Sequence, residues 1–444
     1  MLKLPAALQA FANALKDRGA TLYAVGGCVR DALLGRPVHD VDLASRLRPD
    51  ELLKEAADSG IEARIVQQTL GTVVLTVDGV EYEHTTFRTE SYGAGGAHRP
   101  DAVRFSDTPQ VDAFRRDFSV NALYESVSDG TLVDPTGGVK DLERRMLRTT
   151  TADPAQILRD DGLRILRLVR FAASLGFSVD PETRKAAEEN AALLEDVAWE
   201  RKRQELDRIL LGPRVYDALS MLNGLGALPY VLPELCACDG LEQKKQYHRY
   251  DVLTHLFHTC ENTPEDLALR LAGLLHDVGK PVALERDGNM YAHDLDGARI
   301  ARTMLMRLKY PAALADRVAE TIRLHMFDLT DEASEATLRK RFAGFGRERT
   351  RDLIAIREAD VRGSWIKTGF VAERWRSVFD AMQREGAPFS ESELKVTGED
   401  VMKELGLPPG ERVGKIKRKL LERCAVHPEE NEKKLLLKRM HDYA

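Results

Sequence analysis

Between residues 21 and 148, short β-branched runs such as TVVLTV (72–77) alternate with helical stretches and Gly-rich turns. That mixture predicts an α/β head. Beyond Thr151 strand signals almost vanish, and apolar positions recur at helical spacing in ILRDDGLRILRLVRFAASLGF (157–177) and RQELDRILL (203–211). The expected fold class is α+β, an α/β head followed by an all-helical neck, body and tail. Breaks at Gly212-Pro213, in the polar 238–248 stretch and around Ala387-Pro388 set the expected domains. They are a head at 1–150, a neck at 151–213, a body at 214–385 and a tail at 386–444.

A chain of 444 residues exceeds one ordinary core, so more than one function is expected. The net charge of −6 gives no sign of a globally basic nucleic-acid binder, so any such contact must be local. Five scattered cysteines lack the usual zinc spacing and read as reduced thiols of a cytoplasmic protein. Charges interrupt the apolar pattern of MLKLPAALQAFANALKDRG, unlike a signal sequence or a membrane span. No membrane partner is expected.

The segment AVGGCVRDALLGRPVHDVDLAS runs from Ala24 to Ser45. Residues two apart on a strand share a side, so Asp40 and Asp42 would set two carboxylates over one spot, which suits Mg²⁺. Gly26 and Gly27 precede a helix-like VRDALL and, lacking Cβ atoms, would admit a triphosphate to backbone N–H groups. Together these parts make a site for phosphoryl chemistry.

With YEHTTFR (82–88), RRDFSVNAL (115–123), DPTGG (134–138), RDDGLRILR (159–167) and ERKRQEL (200–206) following in order, the chain resembles the class II branch of the polymerase β-like nucleotidyltransferases. That branch holds bacterial tRNA CCA-adding enzymes and poly(A) polymerases. The resemblance implies transfer of C, C and A from CTP and ATP to the tRNA 3′ end by two-metal catalysis without a nucleic-acid template. It implies Glu83 as a third carboxylate, although Glu81 lies on the same face of an alternating strand. Arg116, Asp117 and Asn121 are implied as nucleotide contacts, with Arg30 and Arg167 beside them.

Asp161 and Arg164, three apart in a helical segment, would share a face and present an acceptor beside a donor. Cytosine and adenine match that edge and guanine and uracil do not, so the protein itself would serve as template. The family's usual glutamate is here Asp160, and its frequent proline is Gly162. Arg203 and Glu205 are expected to brace this helix. The 88–105 segment, with Ala94-Gly95-Gly96-Ala97 at its centre, corresponds to the family's specificity-switching loop, and by that resemblance its full length implies CCA addition over a CC-only enzyme.

A second constellation lies in YDVLTHLFHT, LAGLLHDVGKP, YAHDLDGARIA, IRLHM and READVRG. It resembles the HD phosphohydrolases over about residues 250–365, with His255, His276, Asp277 and Asp360 as metal ligands and His293 and His325 extending the site to a second metal. Imidazole with carboxylate suits Mn²⁺, Co²⁺ or Ni²⁺ better than Mg²⁺ alone. Lys280 is a candidate phosphate neighbour. The implied activities are 2′,3′-cyclic phosphodiesterase, 2′-nucleotidase or phosphatase. KIKRK (415–419) and EKKLLLKR (432–439) are the local candidates for gripping the tRNA backbone. Rival readings are a poly(A) polymerase, a CC- or A-adding enzyme, and an HD phosphohydrolase whose head only binds RNA.

Overall fold

The computed structural model describes residues 2–91, 102–244, 249–328, 332–365 and 370–443. They form two compact units, Met1–Pro233 and Glu234–Ala444.

The first unit is built on strands β1 (Tyr23–Val25), β2 (Asp42–Ser45), β3 (Glu62–Gln67), β4 (Thr72–Val77), β5 (Val80–Thr86), β6 (Arg88–Ser91), β7 (Ala102–Phe105), β8 (Tyr124–Ser126) and β9 (Leu132–Val133). Seven of them make one mixed sheet in the order β3-β4-β5-β2-β1-β8-β9. Only the β2–β5 pairing is parallel; the other neighbours run antiparallel. The central strands are short, so their ends come close together, which matters for the site below. β4 is a nearly continuous apolar run because Val73, Val74, Leu75 and Val77 are all buried. Against the sheet packs a cluster of Val25, Ala44, Phe87, Ala113, Ala122 and Tyr124. β6 and β7 pair as a separate antiparallel ribbon. The Ala94–Ala97 centre of the expected loop between them lies outside the described residues.

Beyond β9 the regular elements of the described residues are helices, apart from a two-residue pairing of Met146–Leu147 with Ser178–Val179 and a single bridge of Thr149 to Phe118. The expected single helix through 157–177 is instead two, Pro154–Asp160 and Leu163–Leu175. Asp161 between them is extended, at φ −153° and ψ 106°. The bend is enforced at Gly162, where an added Cβ would stand 2.7 Å from the main-chain oxygen of Leu193. Leu163–Leu175 then buries ten of its residues, including Ile165, Leu166, Leu168 and Val169.

The second unit is helical. Asp251 caps the helix Val252–Asn262 and Asp266 caps Leu267–Leu275, each accepting a hydrogen bond from a main-chain N–H of the first turn. Phe342, Trp375, Phe379 and Phe389 share one core with Ile416, Leu420 and Leu436 from the C-terminal helices. The basic runs on those helices are largely neutralised: Lys415 pairs with Glu411, Lys419 with Glu422, Lys433 with Asp400 and Arg439 with Glu430. Among the described residues no helix is long and apolar enough to cross a membrane.

Candidate active site and metal centre

The glycine turn forms because Gly26 adopts φ +82° and ψ −129°, a region closed to residues with a Cβ. The helix Gly27–Leu33 starts immediately after it. Gly26 N–H donates to the Leu123 carbonyl at 3.0 Å, which docks the turn on the 118–123 segment.

Asp42 opens β2 opposite Val25, the last residue of β1. Asp40 does not share that strand, as the alternation argument expected. It lies in the irregular stretch just before it, because β2 begins only at Asp42. The two carboxylates nevertheless lie near enough for the charge of one to be felt by the other. Partial desolvation by the surrounding strand ends, then the negative charge of Glu83, push the Asp42 carboxyl above the usual carboxylate range; Asp40 adds to this, and Arg116 opposes it. The β2–β5 register pairs Leu43 with His84, which sets Asp42 and Glu83 at neighbouring positions. Glu81 is drawn off to Arg64 at 2.9 Å. Among the described residues the three carboxylates do not close into a three-ligand cluster, so a divalent cation held by all of them would have to draw their oxygens together.

Arg116 is held in place by a buried acid. Asp112, 1% exposed, accepts two hydrogen bonds from Arg116 (3.0 and 3.1 Å), one from Arg115 (2.8 Å) and one from the Tyr124 hydroxyl (2.7 Å). Burial pushes the Asp112 carboxyl up, but the two guanidiniums outweigh it and bring it down to about 2. One Arg116 nitrogen lies 3.7 Å from where a Gly26 Cβ would stand, so this cation flanks the glycine turn. A second chain of contacts runs from Arg30 to the Asn121 side-chain oxygen (2.6 Å), from the Asn121 amide to Asp117 (3.1 Å), and from Arg167 to Asp117 (2.6 Å). Arg30 also pairs with Asp31, so it braces Asn121. Glu205 takes Arg170 at 2.6 Å and Arg208 at 3.2 Å, tying the Trp199–Leu210 helix to Leu163–Leu175.

Asp161 and Arg164 do not present the shared helical face expected of them. The chain breaks between them, and each side chain has its own partners. Asp161 accepts from Arg201 at 2.7 Å and from Leu163 N–H at 3.1 Å, while Arg164 donates to the main-chain oxygens of Ile157 (2.9 Å) and Arg115 (2.7 Å). Asp160 lies 3.9 Å from Arg164.

In the second unit four buried histidines and two acids converge. His255 and His276 bring Nε2 atoms to 3.2 Å, and His293 and His325 to 3.3 Å. Asp277 stands between the pairs, with Oδ2 3.2 Å from His276 and Oδ1 2.9 Å from His293, and Asp360 Oδ1 lies 3.2 Å from His255. The donor set fits a metal for a physical reason. Nδ1 of His276, His293 and His325 lies 2.9, 2.7 and 2.6 Å from a main-chain carbonyl, which can only accept, so each Nδ1 carries the proton and each Nε2 offers a lone pair inward. Lone pairs facing each other at 3.3 Å repel unless a cation lies between them. Two ligand groups, His255–His276–Asp277 and Asp277–His293–His325, share Asp277. Lys280 reaches Asp277 Oδ2 at 2.5 Å. Gly279 permits the approach of the His293 segment, since a Cβ there would stand 2.1 Å from the His293 carbonyl oxygen.

Residues 22–148 match the family described as "Poly A polymerase head domain", 176–238 the "Probable RNA and SrmB- binding site of polymerase A" and 246–362 the "HD domain". The chain is 35% identical over 428 residues to the A-adding tRNA nucleotidyltransferase of Deinococcus radiodurans, covering 92% of each chain. It is 32% identical over 433 residues to a CCA-adding enzyme of Geobacillus sp., covering 97% of this chain and 94% of the other. The crystal structure of the Bacillus stearothermophilus CCA-adding enzyme in complex with CTP superposes with a TM-score of 0.74 at 27% identity, over 99% of this chain and 98% of that one. The chain belongs to the class II tRNA nucleotidyltransferase family.

Its head and HD domains carry dependence on divalent metal. In this nucleotidyltransferase, spacing alone missed Asp112, Tyr124 and Arg201. Asp112 left one signal, its i,i+4 relation to Arg116 on a short helical stretch. Arg201 stands inside the ERKRQEL block, but nothing local joined it to Asp161, 40 residues away in the chain.

Proposed function

We propose that the chain adds C and A to the 3′ end of tRNA from CTP and ATP in the cytoplasm, with Asp40, Asp42 and Glu83 holding Mg²⁺. The observation that carries this reading is the placing of Asp42 beside Glu83 by the β2–β5 register, with Arg116 next to the Gly26 turn. Bound Mg²⁺ would supply charge neutralisation at the triphosphate and a lowered pKa at the attacking 3′-hydroxyl. Gly26 and Gly27 leave room for the triphosphate, and Arg116 offers it a guanidinium that Asp112 holds in place. Asn121, Asp117, Arg30 and Arg167 form the braced wall on which the nucleotide lies. Asp161 and Arg164 select the base once they leave their present partners to meet its Watson–Crick edge.

The test is extension of a tRNA lacking its 3′ terminus with CTP and ATP, followed by sequencing of the product ends. Addition of C, C and one A supports the reading, and a long A tract refutes it. Loss of all addition in Asp40→Ala is expected. A second reading, addition of A alone, is favoured by the 35% identity over 92% of both chains with an A-adding relative. Extension of a tRNA ending in CC but not of one lacking CC would select it.

For the HD centre we propose a phosphohydrolase of 2′,3′-cyclic or 2′-phosphate ends, with Mn²⁺, Co²⁺, Ni²⁺ or Mg²⁺ bound by His255, His276, Asp277, Asp360, His293 and His325. What supports it is the inward set of lone pairs bridged by Asp277. The basic stretches at 415–419 and 432–439 remain candidates for tRNA contact through the charges that local acids leave over.

A further inference from the structure

We infer that Arg357 positions Asp360 in the HD centre, holding one oxygen of that carboxylate so that only the other is offered to a metal. The inference rests on the reading of His255, His276, Asp277 and Asp360 as metal ligands and adds a residue to it. Arg357 and Asp360 stand three apart on the helix Arg347–Ser364, so their side chains share a face. Arg357 Nη1 donates to Asp360 Oδ2 at 3.0 Å. The other oxygen, Oδ1, faces the imidazoles, 3.2 Å from His255 Nε2 and 3.8 Å from His276 Nε2. The terminal torsion of an aspartate is soft, and an unheld carboxylate could turn either oxygen, or both, to a metal. Arg357 removes that freedom.

The pair lies deep, the side chains of Arg357 and Asp360 being 13% and 14% exposed. Arg357 Nε is buried with no acceptor among the described residues. Leaving a guanidinium N–H unfilled costs stability, and an apolar side chain of similar length would occupy the space without that cost, so packing does not account for the arginine. The helix that carries the pair is fixed as well. One turn beyond Asp360, a Cβ on Gly363 would stand 2.5 Å from Thr259 Oγ1 and 2.9 Å from Thr259 N, so the helix Arg347–Ser364 meets the backbone of Val252–Asn262 there. Thr259 is itself one turn beyond His255. The two helices are thus set by a glycine contact with no side chain to adjust, and the carboxylate torsion is what remains for Arg357 to decide. Asp277 is held differently. Lys280 reaches its Oδ2 at 2.5 Å, yet that oxygen still lies 3.2 Å from His276, and Oδ1 lies 2.9 Å from His293. Asp277 turns both oxygens to the histidines, and Asp360 turns one. A partner that orients a ligating group sets metal affinity, and its loss costs about 10- to 100-fold.

The test titrates the full chain with Co²⁺, which suits imidazole with carboxylate, and follows its visible absorption. The His276→Ala, Asp277→Ala variant serves as the blank for ions taken up elsewhere. Arg357→Met should weaken Co²⁺ binding about tenfold and alter the shape of the bands, while melting of the metal-free chain changes little. Arg357→Gln, shorter and uncharged, should weaken binding to a similar degree and takes the place of Arg357→Met if that variant does not fold. Arg357→Lys, which keeps a charged donor at similar reach, should restore most of the affinity. In an Asp360→Ala background Arg357→Met should have no further effect. Unchanged or tighter binding in Arg357→Met overturns the inference, tighter binding being what a cation that only repelled the metal would give. An equal further loss in the Asp360→Ala background also overturns it, because that marks a general disturbance of the fold. If Asp360→Ala by itself leaves Co²⁺ binding unchanged, the reading of Asp360 as a ligand falls, and the inference with it.

Discussion

Arg201 grips Asp161 with two guanidinium nitrogens, at 2.7 Å to Oδ2 and 3.3 Å to Oδ1. The carboxylate proposed to read the base is therefore already oriented, and its pKa is lowered, burial opposing and Arg201 prevailing. Arg201→Ala should free it. We expect kcat/KM for CTP and ATP to fall about tenfold and relative UTP incorporation to rise, since the loss of one charge-assisted hydrogen bond is worth about 1.5–3 kcal/mol. Single-nucleotide incorporation on truncated tRNA checks this.

Burial and then the negative charge of Glu83 raise the Asp42 carboxyl, so keeping it ionised costs stability. Asp42→Asn should abolish nucleotide addition while raising the melting temperature of the metal-free head by a few degrees. A variant that melts lower than wild type in chelator would contradict the repulsion argument.

His84 lies buried under the site, 2.8 Å from the Ser45 hydroxyl, and burial lowers its pKa to about 3 despite the nearby Asp112. The folded head keeps the ring neutral where the unfolded chain, with an ordinary value of 6.5, takes up a proton. Stability should therefore fall as pH drops from about 6.5 towards 3, by at most about 1.4 kcal/mol per pH unit. His84→Val should flatten that slope in melts between pH 7 and pH 4.5.

Gly279→Ala should destabilise the HD unit by about 1–3 kcal/mol through the clash with the His293 carbonyl. Weakened Mn²⁺ binding should accompany it. Thermal melts with and without Mn²⁺ separate the two effects.

Metal should stabilise this unit, by about 2.7 kcal/mol at a hundredfold excess over Kd. Chelation should reverse the shift, and His276→Ala with Asp277→Ala should remove both the shift and hydrolysis while tRNA extension persists.

The order of motifs exposed most of the head. DVD and EHTTFR hold Asp42 and Glu83, which the β2–β5 pairing sets side by side, and RRDFSVNAL holds Arg116 near the glycine turn. The candidate HD residues stood out as ordered motifs, and the fold gathers them from unlike places: His255 and Asp360 lie within helices, His293 opens one, and His276, Asp277 and His325 sit in the turns that follow two others. Asp40 was misjudged in its setting, because a strand boundary depends on where a partner strand stops.

Local pattern determined the α/β head, the helical remainder and the glycine turn, for these follow from periodicity and from the freedom of a residue without a Cβ. The tertiary fold decided what contact across distance alone can decide. Glu83 stands beside Asp42 because β5 lies parallel to β2, and Glu81 is diverted to Arg64. The helix breaks at Gly162 because the Leu193 carbonyl fills the space of a Cβ, and Asp161 is thereby turned to Arg201. Helical propensity describes a residue and its near neighbours, whereas these choices belong to atoms that meet only after the chain has closed on itself.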